Sequence, residues 1–88
     1  MARFDFAQAD GFEMATINKP EMLFELGLIY ATGRDGDEDM VAAHKWFNIA
    51  AFRGYELAKA RREEIASVMT RDQIAKAQRA AREWLTQH

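Results

Sequence analysis

Apolar residues recur at three- and four-residue spacing along most of this chain, and polar punctuation divides them into four helical stretches. Asn18, Lys19, Pro20 and Glu21 read as a helix start: an asparagine cap, a proline in the first turn where its missing donor costs little, and an acid that reaches back to the cap. The helix runs from about Lys19 to Ala31, and Gly33 supplies a left-handed exit. Its apolar residues Met22, Leu23, Phe24, Leu26, Leu28, Ile29 and Tyr30 point around nearly the whole circumference, so one packing partner does not cover them.

Arg34 to Asp39 is an acidic loop, and Asp39 is placed to cap a second helix over residues 40–52. That helix sets Ala43, Trp46, Phe47, Ala50 and Ala51 on one broad face, where small residues allow close backbone approach and the aromatics fill the space. Gly54 ends it. A third helix is predicted over 55–68, with Leu57, Ile65, Val68 and Met69 as its apolar stripe and Ala58 at the edge. Thr70 and Gln73 form a capping box opening a fourth helix over 71–86, in which Ile74, Ala77, Ala81, Trp84 and Leu85 repeat at helical spacing.

The pattern therefore predicts an all-α protein: one helical domain over residues 18–88, preceded by an arm or short helix over residues 1–17. In that leading stretch Phe4, Phe6 and Phe12 alternate with acids. Either this segment or a second copy of the chain could cover the outer side of the first helix.

Eighty-eight residues are enough for one small domain, which buries only about 60 to 65% of the surface its unfolded chain exposes. Cysteine is absent, so no disulfide or thiolate zinc site staples the fold, and helix packing must stabilise it. Acids interrupt the N-terminus before a secretory apolar run develops, and no stretch approaches the roughly 20 apolar residues of a membrane span; a cytoplasmic location is expected. The net charge of -2 conceals an asymmetry: residues 1–40 carry -6 and residues 41–88 carry +4. Such a dipole can order the packing of the halves or orient a second copy.

Taken together, the stations of residues 22–58 resemble one unit of the Sel-one-like repeat family, a relative of the tetratricopeptide repeat. Leu26, Gly27, Tyr30 and Gly33 match its first helix. Asp39, Ala43, Trp46, Phe47, Ala50, Ala51 and Gly54 match its second, and Ala58 opens the next. In the following unit Arg61 stands where a leucine is usual, and residues 70–85 look like the helical tail that closes some members. The resemblance implies a short tetratricopeptide-like array of two antiparallel helix pairs, acting as a scaffold or adaptor for other proteins.

The chemistry available points the same way. The sequence has no glycine-rich phosphate loop and no histidine beside a plausible nucleophile, and Ser67 is its single serine, so no catalytic residue or cofactor is expected. Asp35, Asp37 and Asp39 alternate as in a calcium loop, but Met40 and Phe47 occupy the stations of its glycine and closing glutamate. His44 is expected at a core boundary, and with His88 it does not make a metal site. Gly27 reads as the point where Trp46 or Ala50 approaches the first helix.

Function is accordingly expected to be protein–protein interaction without catalysis, with a protein partner or a homodimer. Candidate contacts are Phe24, Leu28, Ile29, Arg61 and Trp84. Arg61 falls on a helical line between Leu57 and Ile65, where its charge must reach water, an acid such as Glu64, or a partner. The alternative is nucleic-acid binding through Lys59, Arg62, Arg71, Lys76, Arg79 and Arg82, opposed by the interspersed acids and the acidic first half.

Overall fold

The computed structural model describes residues 19–34 and 36–88. Within them lie four helices and no strand: α1 (Pro20–Thr32), α2 (Met40–Phe52), α3 (Glu56–Ala66) and α4 (Arg71–Gln87). The expected arm over residues 1–17 and the Asn18 cap lie outside the described residues. Lys19 holds the N-cap position of α1 without a side-chain bond, and Pro20 follows at the first helical position. Proline's fixed φ suits that place, and its missing N–H would have no intrahelical acceptor there.

The other boundaries follow local chemistry. Gly33 (φ 70°) and Gly54 (φ 99°) turn the chain out of α1 and α2 in the left-handed region that glycine adopts without penalty. After α2 the exit is a Schellman turn: Tyr55 N–H donates to Ala50 O and Gly54 N–H to Ala51 O, each at 3.0 Å. Asp39 caps α2, its Oδ1 accepting from Ala42 N–H at 3.0 Å. Its own N–H donates to Tyr30 O at 3.0 Å, which ties the acidic loop back to α1. Replacing Asp39 with alanine removes the cap and leaves the backbone tie, so a loss of about 1 kcal/mol in urea denaturation is expected. Thr70 and Gln73 complete the capping box of α4 through bonds of 2.8 and 3.1 Å.

The architecture is centred on α2, which lies against α1, α3 and α4, while the remaining pairs of helices touch only marginally. The core gathers around it: Leu23, Phe24 and Leu26 from α1, Ala43, Trp46, Phe47, Ile49 and Ala50 from α2, Ala58 from α3, and Ala81 from α4. Phe24 joins two neighbours in this core, with ring centroids 5.5 Å from Phe47 and 4.9 Å from Tyr55. Gly27 meets the Phe47 ring, and not Trp46 or Ala50 as the sequence suggested. A Cβ at Gly27 would collide with that ring.

α3 departs most from its sequence reading. It is shorter than 55–68, beginning at Glu56 and ending at Ala66, where Ser67 Oγ donates to Glu64 O at 2.7 Å. Its face is also turned by one residue. Ala58 is fully buried and Arg62 and Ile65 follow on the same line, while Leu57 is 50% and Val68 77% exposed. Alanine at the seam permits close contact with α2, so the larger Leu57 is left outside.

Candidate interaction surface

The rotation of α3 redistributes the candidate contacts. Phe52, at the last turn of α2, is 74% exposed, and Leu57 follows just beyond the Gly54 turn. Arg61 is one turn further along α3 on the side of Leu57, exposed, with Nη1 3.7 Å from Glu64 Oε1. At that distance and exposure the pair is a weak surface contact. The inward arginine is its neighbour: Arg62 Nη1 donates to Asn48 Oδ1 of α2 at 2.7 Å. The sequence singled out Arg61 because it used Leu57 to locate the seam, and the seam runs through Ala58.

On α1 and just beyond it, Met22, Glu25, Leu26, Ile29 and Arg34 line an open, mainly apolar groove. Arg34 Nη2 and Glu25 Oε2, 2.7 Å apart, form a bridge among these lining residues. Ile29 thus belongs to this groove. Leu28 is half-buried beside the core. Phe24, expected to face a partner, is 8% exposed and occupied by Phe47 and Tyr55.

Trp84 is half-buried among three neighbours. Its ring meets Trp46 edge-on at 5.5 Å, stacks on His88 at 4.2 Å, and has the Arg53 guanidinium 5.7 Å from its centroid. These contacts make it a buttress between α2 and α4, with only part of its surface open. Nearby, Lys45 Nζ lies 4.4 Å from the Trp46 ring centre. Burial lowers the Lys45 pKa and Glu83 partly restores it.

Phe52 and Leu57 were missed as surface residues because a helical stripe in sequence does not say which of two adjacent lines the neighbouring helix selects. The signal that finds Leu57 is the small residue beside it. Among the described residues, no cluster of three or more histidine, aspartate or glutamate side chains is placed to hold a metal ion. No helix there is long and apolar enough to cross a membrane. Comparison with protein-family models, curated proteins and solved structures yields no match.

Proposed function

We propose that this chain is a small, non-catalytic protein–protein interaction module of cytoplasmic location, built on one helix pair of Sel-one-like, tetratricopeptide-like type and a shortened second pair. The observation that carries this reading is the exposure of Phe52 and Leu57 on either side of the α2–α3 turn, with Arg61 beyond them. Aromatic side chains and arginine are enriched at protein interfaces, where the apolar groups supply burial and the cation supplies orientation. The apolar groove on α1 is a second surface of the same kind.

The nucleic-acid reading counts Arg62 among its cations, and that guanidinium is part-buried and held in place by Asn48 at 2.7 Å. Random duplex DNA in low salt is the direct comparison: no binding is expected, whereas salt-sensitive binding would favour the alternative. Sedimentation of the purified chain at about 100 µM distinguishes the form of the interaction. A dimer that dissociates on Leu57→Ser supports a second copy as the partner; a monomer defeats the homodimer form.

A further inference from the structure

α2 carries a group that the interaction surface does not use. His44, expected at a boundary, is only 3% exposed, and its Nδ1 has no hydrogen-bond partner. One turn along the same helix, Asn48 holds the Arg62 guanidinium on the α2–α3 seam. The neutral amide fixes the position of that charge without cancelling it. Burial, followed by the Arg62 charge, holds the His44 pKa below the ordinary histidine value, and its own backbone acts in the opposite direction.

The carboxylates around the seam are exposed. On α3, Glu56, Lys59, Arg61 and Glu64 face water, and Glu63, also exposed, approaches Arg62 Nη2 at 3.8 Å. On α4, Arg71, Asp72, Lys76, Arg79, Arg82 and Glu83 are all exposed, and Glu83 acts on Lys45. On α1, Lys19 and Glu21 are exposed and Glu25 is taken by Arg34. The charge acting on the His44 ring is therefore a cation on α3, the helix whose main support is α2.

We propose that His44 is an acid-sensitive latch on α3: a proton taken up by the ring sets a buried cation beside the part-buried Arg62 and loosens the α2–α3 seam. Two like charges in a poorly hydrated site repel, and the carboxylate paired with Arg62, Glu63 at 3.8 Å, is exposed to water and offsets them only in part. α3 is the part that yields, because a single fully buried residue, Ala58, anchors it. The sign follows from linkage. A released α3 lets His44 bind its proton at the ordinary value, so the open state holds more protons. The docked state is then favoured above the ordinary histidine range and loses ground as pH falls through that range toward the lower docked value.

Site-resolved amide exchange at about pH 7.5 and about pH 5.5, corrected for intrinsic rates, tests this in the wild type, His44→Gln and Arg62→Gln. On acidification, the opening constant of α3 should rise several-fold more than that of α1 in the wild type. The excess should vanish in His44→Gln and shrink in Arg62→Gln. If either variant fails to fold, the His44 ring in the wild type should still titrate at lower pH than in the urea-unfolded chain. Equal opening of α1 and α3, an unchanged acid response in His44→Gln, or titration at or above the unfolded value overturns the proposal.

Discussion

Replacing Phe47 with alanine is expected to remove about 3–5 kcal/mol of stability, the largest loss from any single truncation in this fold. The ring is 1% exposed, sits on Gly27 of α1, and lies 5.5 Å from Phe24. Its removal opens a cavity where the two helices meet. A domain of this length has only about 4–13 kcal/mol in total, so the variant should be largely unfolded by modest urea. Denaturation followed by tryptophan fluorescence and helical circular dichroism measures it. A loss under about 1 kcal/mol would mean that Phe47 does not organise the core.

The second large effect is at Gly27, where two physical arguments predict opposite signs. Glycine inside a helix costs up to about 1 kcal/mol relative to alanine, so propensity alone has Gly27→Ala stabilise α1. Packing predicts the reverse, because the new methyl overlaps the buried Phe47 ring. Overpacking of this kind costs about 1–3 kcal/mol, and Gly27→Val, which adds a branched side chain, should cost more. Urea denaturation should therefore give a net loss for alanine and a deeper one for valine. In a Phe47→Ala background the obstacle is gone, and Gly27→Ala should become neutral or stabilising. Stabilisation of the otherwise unchanged chain by Gly27→Ala would place the glycine's role elsewhere.

These two residues also mark how far the sequence could be read. Helix ends were legible because their signals are local: Asp39 and Thr70 as caps, Gly33 and Gly54 as left-handed exits. The inward face of α4 was legible because its apolar residues leave one clear line. Gly27 could be recognised as a point of close approach, but its partner depends on how α1 crosses α2, which no local signal encodes.

On α3, two adjacent lines competed. Leu57, Arg61, Ile65 and Val68 were the more apolar, yet Ala58, Arg62 and Ile65 form the seam because a small residue lets the backbones meet. The same rotation exchanged the roles of Arg61 and Arg62 and left Leu57 outside. The burial of His44 followed from helix placement and had no sequence signal beyond its position near Ala43 and Phe47. Phe24 was assigned to a partner because α1 is apolar on nearly every side. Tyr55, beyond the Gly54 turn, supplies the missing cover for that ring.

The central claim is that the surface left open around the α2–α3 turn recruits a protein. Copurification from the native cell, comparing tagged wild type with the double variant Leu57→Ser and Arg61→Glu, tests it most directly. Both sites are exposed, so the variant should keep its helicity and urea midpoint. A protein retained in stoichiometric amount by the wild type and lost from the folded variant is the predicted result. The same proteins retained by both, or none retained by a wild-type chain that also sediments as a monomer, would contradict the claim.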